Sequence, residues 1–297
     1  MRAYVTGASG FIGSHVARTL RADGWEVRDE LIDVGDRAGL ERAMAGCDAV
    51  FHLAALYSFR GDPRELERVN VDGTRNVLEA ARAAGVARVV HTSTCATCGP
   101  VPGRAATEED GPPDWELTVP YKATKLAGER LALAAAADGL DVVVVNPTTP
   151  VGEGDWVPTP TGRMVRGVAT GRFRGYLSGT GVNLVDVHDV ARGHVLAFER
   201  GMRGERYLLG GTDMPLRDAF ALIAGAAGRR PPRLRVPYGV ARAAAAARLL
   251  NRHEIALARW PMYFSSAKAK RELGYAPGPV EAAVERAVAD VLGSRRR

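Results

Sequence analysis

The sequence is poor in cysteine and in long apolar runs. It has three Cys in 297 residues, an odd and low number that argues against a disulfide framework and fits a reducing compartment. No apolar run reaches the ~18 residues that a membrane span needs. The first residues, MRAYVTGASG, indicate a strand and a turn rather than a basic segment followed by an apolar one. We therefore expect no secretion signal and a cytoplasmic protein.

Three further classes of function have little support in the composition. Only four of the 40 basic residues are Lys, and the many Arg are mostly scattered despite a net charge of +6. We therefore expect a small-molecule ligand and no nucleic-acid or membrane partner, while a homodimer stays open. One C-x-x-C, from Cys95 to Cys98, and six dispersed His also predict no metal site.

A glycine-rich turn follows the first strand-like run. TGASGFIG places Gly7, Gly10 and Gly13 at three-residue spacing, between the strand RAYVTG and an amphipathic helix. Glycine lets the backbone approach a pyrophosphate, and the start of a helix offers free N–H groups to an anion. The spacing alone is weak, but its place between a strand and a helix predicts dinucleotide binding.

Strand-like and helical patterns alternate over the first 150 residues, which indicates a parallel sheet covered by helices on both faces. After Pro147 the pattern changes, and Pro and Gly accumulate. We predict a dinucleotide-binding domain of residues 1–150 plus about 182–200. A smaller, discontinuous, mixed α/β substrate domain would comprise about 151–181 plus 201–297.

The segment WEVRDELIDVGD, from Trp25 to Asp36, is too short for the two strand–helix units that normally follow such a turn. Four residues separate Val27 from Ile32, whereas a parallel crossover needs ~10–12. We predict that one strand–helix unit is missing. WEVRDELID would form one strand or two collinear pieces of one, and RAGLERAMAG the single helix before the next strand. The loss would affect the adenosine end of the cofactor site.

Candidate catalytic residues lie in YKATK and in the strand before it. Tyr121 and Lys125 are four residues apart, so on a helix they share one face. A nearby ammonium favours the phenolate, which makes a tyrosine useful as an acid or base near neutral pH. HTSTC supplies Ser93 and Thr94 as hydroxyls that could polarise a substrate oxygen.

Together these motifs resemble the extended short-chain dehydrogenase/reductase superfamily, nearly from end to end. The segments that carry the resemblance are TGASGFIGSHV, DAVFHLAA, VNVDGTRNVLEAA, VVHTST, YKATK, NPTTPVG, LVDVHDVARGHVLA and FSSAKAKRELGYAP. The last six look most like the hopanoid-associated sugar epimerase branch, which is similar to dihydroflavonol 4-reductases. The resemblance implies an α/β fold with a Rossmann-like, doubly wound parallel sheet, here missing one strand–helix unit.

The resemblance also implies the role of each site residue. Thr94 holds the catalytic hydroxyl position, Tyr121 is the acid/base and Lys125 its partner. The implied cofactor contacts are Gly7, Gly10, Phe11, Ile12, Gly13, Arg28, Asp33, Leu53, Ala54, Ala55, Thr92, Tyr121, Lys125, Pro147, Thr148 and Val151. The implied substrate contacts are Tyr57, Cys95, Cys98, Thr149 and Trp156.

Three reaction classes stay open from the sequence. A carbonyl reductase leads, because Thr149 stands where sugar-nucleotide epimerases typically carry an Asn against the diphosphate. An NAD(P)-dependent sugar or nucleotide-sugar epimerase is the alternative, and a non-redox nucleotide-binding protein is the third class. A 4,6-dehydratase is set aside because TCA replaces the T-D-E of those enzymes.

The preferred form of the cofactor depends on the residues after the second strand. Arg28 would favour the 2′-phosphate of NADP, whereas Asp29 would bind the bare ribose of NAD. Arg28 and the family branch tip the prediction towards NADP.

Overall fold

The order of strands and helices follows the predicted alternation. The computed structural model describes residues 1–58 and 61–293. Its strands are β1 (Arg2–Thr6), β2 (Glu26–Arg28), β3 (Ala49–His52), β4 (Arg88–Thr92), β5 (Val142–Pro147), β6 (Thr149–Val151), β7 (Gly175–Leu177), β8 (Gly181–Asp186), β9 (Arg206–Leu209), β10 (Thr212–Pro215) and β11 (Leu234–Val236). Its α-helices are α1 (Phe11–Ala22), α2 (Arg37–Met44), α3 (Pro63–Glu67), α4 (Gly73–Ala83), α5 (Pro120–Ala137), α6 (Pro160–Ala169), α7 (Val187–Arg200), α8 (Leu216–Ala226), α9 (Tyr238–Ala246), α10 (Arg252–Leu257), α11 (Ala267–Leu273) and α12 (Glu281–Gly293).

A six-stranded parallel sheet forms the larger part of the molecule, in the order β2-β1-β3-β4-β5-β9. Its central strands are apolar and buried because helices cover both faces. In β5, Val143 and Val145 pack with α1, α7 and α11, while Val142 and Val144 pack with α2, α4 and α5. This is the predicted doubly wound α/β fold.

The shortened edge of the sheet contains one strand–helix unit, as predicted. β2 has three residues, pairs only with β1, and is followed by the extended segment 29–36 and then by α2. The predicted second, collinear piece of strand does not form. Segment 29–36 is held instead by side chains of the sheet and of α4, because Tyr4 Oη donates to the Glu30 carbonyl at 3.2 Å and Asn76 Nδ2 to the Val34 carbonyl at 2.9 Å.

Two smaller sheets lie in the second half of the chain. β6 pairs in parallel and β10 antiparallel with β8, and β7 pairs with β11. Helices α6, α8 and α12 share an apolar cluster with the β6–β8 sheet. The division into two domains stays a prediction. Helix α7 packs on the large sheet as expected, but β9, in the range predicted for the substrate domain, is the sixth strand of that sheet.

The helix is continuous from α3 to α4, with a π-helical turn at Arg68–Asp72 between them. A π-helical turn inserts one residue into the helical repeat and is frequent at functional sites. Across the described ranges, no helix combines the length and the apolar character that a membrane span requires.

Candidate active site

The glycine turn between β1 and α1 has no room for a side chain at Gly7, and the start of α1 has none at Gly13. Gly7 has a φ of +69°, and a Cβ there would lie 2.6 Å from the backbone N of Ala54. A Cβ on Gly13 would lie 2.0 Å from the Gly7 carbonyl oxygen. Gly10 precedes α1 and offers it no side-chain cap. The first N–H groups of α1 are therefore available to an anion, as a dinucleotide diphosphate requires.

A cavity of about 600 Å³ extends from this turn to α5 and to the residues of the smaller sheets. It lies at the carboxyl ends of β1, β3, β4 and β5, where parallel α/β sheets bind their ligands. The predicted residues that line it are Gly7, Gly10, Phe11, Ile12, Gly13, Leu53, Ala55, Tyr57, Thr92, Thr94, Cys95, Tyr121, Lys125, Pro147, Thr148 and Thr149.

The three predicted catalytic residues meet in this cavity. Thr94 follows β4 in an extended conformation, and Tyr121 and Lys125 lie one turn apart in α5, which begins at Pro120. Tyr121 and Lys125 are buried. Lys125 Nζ donates to the Thr92 carbonyl at 2.9 Å, so the ammonium is held against the end of β4.

Burial is the largest cause of the pKa shifts of Tyr121 and Lys125. It raises the pKa of Tyr121, while a hydrogen bond with Thr94 acts in the opposite direction. Burial also lowers the pKa of Lys125 to about 8, against the favourable charge of Glu129. Both side chains are thus shifted towards their neutral forms. The hydrogen bond with Thr94 favours the Tyr121 phenolate in this structure.

A buried polar network supports Thr94 from behind. Asn146 Nδ2 donates to the Thr94 carbonyl at 3.1 Å and to Glu129 Oε2 at 2.6 Å. Thr97 Oγ1 also donates to Glu129 Oε2, and Arg206 pairs with Glu129 Oε1 at 2.9 Å. These residues have no motif in the sequence that marks them as part of the site. The signal available was a lone carboxylate, one turn after Lys125, in a helix otherwise rich in Ala.

The loop after β3 forms another wall of the site. The Tyr57 ring stacks on Tyr121 with centroids 4.4 Å apart. The Leu56 backbone makes two hydrogen bonds with Asn70, in which its N donates to Oδ1 at 2.8 Å and its carbonyl accepts from Nδ2 at 3.1 Å. Asn70 lies in the π-helical turn and also donates to Thr124 of α5. It therefore fixes the loop that carries Tyr57 against the helix that carries Tyr121.

The structure does not bring the predicted adenosine-side residues to the cavity lining. Arg28 Nη1 donates to the carbonyls of Ala43 and Ala45, at the end of α2. That end lies at the amino-terminal edge of the sheet, opposite the glycine turn. Asp33 accepts from the Gly35 backbone and pairs with Arg68 at 2.9 Å.

Four other predicted residues also lie outside this lining. Ala54 lies behind Gly7. Cys98 is fully buried with Ala106, Leu208 and Phe264, because the chain turns inward after Cys95–Thr97. Val151 and Trp156 instead line an adjacent cavity of about 240 Å³.

The part of the cavity beyond Tyr121 is mainly apolar. Its lining includes Met164, Phe173, Val182, Leu216, Leu257 and Met262. Two cationic side chains lie in this wall and both are paired. Lys122 forms a buried ion pair with Glu116, and Arg163 pairs with Glu254 at 3.3 Å.

Comparisons with known proteins agree with this architecture. The family model described as "NAD dependent epimerase/dehydratase family" matches residues 3–210. The chain is 34% identical to the sterol demethylase protein B of Methylococcus capsulatus, with 97% of this chain and 98% of that protein covered. It is also 34% identical to the 4-hydroxy-2-methyl-3-oxo-4-farnesyl-3,4-dihydroquinoline-1-oxide ketoreductase of Stigmatella aurantiaca, covering 93% and 92%. Among solved structures, a nucleoside-diphosphate-sugar epimerase from Pseudomonas aeruginosa superposes with a TM-score of 0.85 at 26% identity, covering 99% and 98%.

Proposed function

Because the chain belongs to the NAD dependent epimerase/dehydratase family, we propose that it is an NAD(P)-dependent oxidoreductase that reduces a carbonyl or oxidises the matching alcohol. The observation that carries the proposal is that Thr94, Tyr121 and Lys125 line one cavity with the glycine turn. Carbonyl reduction needs these two parts together: a dinucleotide cradle that places the hydride beside the reacting carbon, and a proton donor beside the carbonyl oxygen.

The residues of the cavity fit a nicotinamide dinucleotide. The glycine turn and the start of α1 would hold the diphosphate, since Gly7, Gly10 and Gly13 line the cavity and Gly10 leaves the first N–H groups of α1 without a side-chain cap. Lys125 would hold the nicotinamide ribose, and Pro147 and Thr148 would lie against the nicotinamide. When bound, this group supplies or accepts the hydride. The form of the cofactor, NAD(H) or NADP(H), stays open, since Arg28 lies away from this cradle.

The chain's own residues would manage the proton. In reduction, Thr94 Oγ1 donates a hydrogen bond to the substrate oxygen and orients the carbonyl. Tyr121 Oη then gives its proton to this oxygen as negative charge develops there, and the Tyr121 side chain remains as the phenolate. The Lys125 ammonium, one turn away, stabilises that phenolate, and the reverse transfer serves oxidation. The buried walls keep water from competing for the proton.

The substrate is an apolar carbonyl compound in this proposal. The support is the lining of Met164, Phe173, Leu216 and Met262, with both nearby cations already paired. A sugar diphosphate would require unpaired donors, and Thr149 offers less to a phosphate than an Asn would. Two relatives bear names that refer to lipophilic compounds, a sterol and a farnesyl quinoline oxide.

An epimerase acting on a nucleotide sugar is the second candidate. It is favoured by the structural similarity to the Pseudomonas aeruginosa epimerase, which extends over 99% of this chain. It needs the same Tyr121 and Lys125 but a substrate pocket that holds a diphosphate. A third candidate, a non-redox nucleotide-binding protein, is favoured only by the shortened sheet edge.

One screen separates these functions. NADPH and NADH oxidation is followed with a panel of aliphatic, aromatic and polycyclic ketones and aldehydes, and calorimetry measures the binding of uridine- and thymidine-diphosphate sugars. We expect turnover with apolar carbonyls and no tight sugar-nucleotide binding. Tight, competitive binding of a sugar nucleotide without ketone turnover would instead support the epimerase.

A further inference from the structure

Two histidines and a glutamate from distant parts of the chain meet outside the proposed active-site cavity. His15 lies in the second turn of α1, Glu153 follows β6, and His188 lies in the first turn of α7. One potential ligand atom from each lies within 4.8 Å of the other two. His188 Nε2 is 2.8 Å from Glu153 Oε1, and His15 Nε2 is 3.0 Å from the Glu153 carbonyl oxygen.

The spacing of the two imidazole rings is that of two rings on one metal ion. Their centroids are 4.9 Å apart. Two imidazoles bound to one tetrahedral zinc, with Zn–N of about 2.0–2.1 Å, have centroids roughly 5 Å apart. A direct stack would bring the planes parallel, but these rings are tilted by 46°. The Nε2 atoms of both rings face Glu153, that of His15 its carbonyl oxygen and that of His188 its carboxylate.

The charges around this cluster suit a cation. Burial lowers the pKa of His15, which favours the neutral imidazole that a metal ion binds. Burial alone would raise the pKa of Glu153, but hydrogen bonds, including those from His188 and Arg286, bring it down to about 2.

The surroundings resemble the outer shell of a metal site. Arg286 donates to Glu153 Oε2 at 3.0 Å and also pairs with Asp186 at 2.5 Å, which leaves Oε1 directed at His188. Together with Glu153, Asp186 and Asp189 place three negative charges around the two histidines, against the positive charges of Arg286 and Arg18. Partners that hold a ligating carboxylate by its second oxygen orient it and tune the site.

From the convergence of these three side chains we propose that His15, Glu153 and His188 bind one transition-metal ion of the Zn²⁺ or Co²⁺ type, with the fourth position open to water. Two imidazoles and one carboxylate form a ligand set that such ions prefer. The His188 side chain is 48% exposed, so the ion can enter from solvent. Binding replaces the His188–Glu153 hydrogen bond and releases His15 from the Glu153 carbonyl.

The proposed ion would connect three segments. It would fasten α1, which begins at the glycine turn, to α7 and to the chain just after β6, where the main sheet passes into the smaller ones. Its role would be structural, since none of the three ligands lines the cavity that contains Tyr121 among the described residues. Metal binding at this cluster therefore does not depend on the proposed reaction.

The test is a Co²⁺ titration of the untagged protein after chelator treatment, followed by visible absorption and by calorimetry with Zn²⁺. We expect one ion per chain, an absorption band of low-symmetry Co²⁺ and a metal-dependent rise in Tm. His15→Ala, Glu153→Gln and His188→Ala should each remove the band and the rise in Tm. His253→Ala, which changes a histidine in α10, should keep both.

Circular dichroism confirms that each variant is folded before titration. His188→Ala is the most informative variant, because an exposed side chain can be removed at little cost to packing. Absence of Co²⁺ and Zn²⁺ binding by the folded wild type at millimolar concentration would overturn the proposal. Equal metal binding by His188→Ala and His253→Ala would overturn it as well, since the ion would then lie elsewhere.

Discussion

At Tyr121 and Lys125, burial and charge act in opposite directions. A catalytic tyrosine needs a stabilised phenolate, yet burial raises the pKa of Tyr121 and lowers that of Lys125 to about 8. The Thr94 hydrogen bond favours the phenolate, and a cationic nicotinamide would add to it. The acid/base function we propose therefore depends on a filled cavity more than on the Tyr–Lys pair alone.

Tyr121→Phe should abolish turnover and leave cofactor binding nearly unchanged. It removes one hydroxyl but keeps the ring that stacks on Tyr57. Loss of one general acid/base costs ~10²–10⁴-fold in rate. Steady-state kinetics and NAD(P)H fluorescence titration measure the two effects. Tyr238→Phe, in α9 and outside the cavity lining, is the matched control. Retention of more than half of the wild-type rate by Tyr121→Phe would contradict the assignment.

The rate of carbonyl reduction should fall as pH rises through about 8, where Lys125 loses its proton. The sign follows from the role of the cation: below that pH Lys125 is charged and stabilises the phenolate, and above it the stabilisation is lost. Among its neighbours, Glu129 favours the charge, and His52 is neutral because burial lowers its pKa to about 3.

A pH profile of kcat measures this fall in rate. Lys125→Arg keeps a positive charge at every accessible pH, because arginine does not deprotonate in proteins. The Lys125→Arg variant should therefore lose rate only at a higher pH than the wild type, whatever effect the larger side chain has on the maximal rate. A wild-type profile that stays flat across about pH 8 would show that Lys125 does not control the rate.

At the scale of elements, the π-helical turn and α5 form one unit through a glycine. A Cβ on Gly128 would lie 2.5 Å from the Asn70 carbonyl oxygen. Only glycine lets α5 approach the turn that holds Leu56 and, through it, the loop of Tyr57. The position of the stacked tyrosines thus depends on a helix–helix contact one to two turns away from them.

Gly128→Ala should destabilise the protein by ~1–3 kcal/mol, the usual cost of overpacking a core contact. The rate should also fall, since the Tyr57 loop would shift. Gly225→Ala is the control in α8, where a Cβ meets nothing within 4 Å. There the change should stabilise by up to ~1 kcal/mol through helix propensity. Urea denaturation compares the two, and equal midpoints would refute the close contact at Gly128.

The strands, turns and helices that carry the main site residues could be predicted because each has a signature in adjacent residues. The glycine turn, α5 with Tyr121 and Lys125, and the lone helix after β2 are all read from adjacent residues. The partners of Glu129 could not be predicted, because Asn146 and Arg206 reach it only when β5 and β9 lie side by side. For the same reason the burial of Cys98 and the meeting of His15 with His188 depend on packing between distant segments.

The sequence predicts that Arg28 in β2 meets a 2′-phosphate, whereas in the structure the Arg28 side chain faces the end of α2. We expect Arg28→Ala to leave the ratio of NADPH to NADH affinity unchanged and to lower stability, since two carbonyls at the helix end lose a donor. Fluorescence titration of both dinucleotides measures the ratio. A selective loss of NADPH affinity would show that Arg28 contacts the 2′-phosphate, and would favour NADP(H) as the cofactor.

At the scale of the whole molecule, the missing strand–helix unit leaves a sheet that is complete where the chemistry is proposed and short where adenosine would lie. The strands β1, β3, β4 and β5 meet at the cavity. The edge beyond β1 has only three residues of strand and the segment 29–36. If a dinucleotide binds as proposed, its diphosphate and nicotinamide would be within reach of these strands, while fewer groups would enclose its adenosine.

We expect both dinucleotides to bind, but more weakly than to relatives that keep the additional unit. A ligand at a hundredfold excess over Kd stabilises the folded state by ~2.7 kcal/mol, which for a chain of this size raises Tm by roughly 5 °C. Thermal unfolding with increasing NADPH or NADH measures this shift, and Tyr121→Phe should show the same shift as wild type because its cradle is intact. If neither dinucleotide raises Tm at millimolar concentration, the protein does not use a nicotinamide cofactor and the non-redox function takes its place. If NADPH or NADH binds as tightly as to the longer relatives, segment 29–36 must enclose the adenosine as well as a full strand–helix unit does.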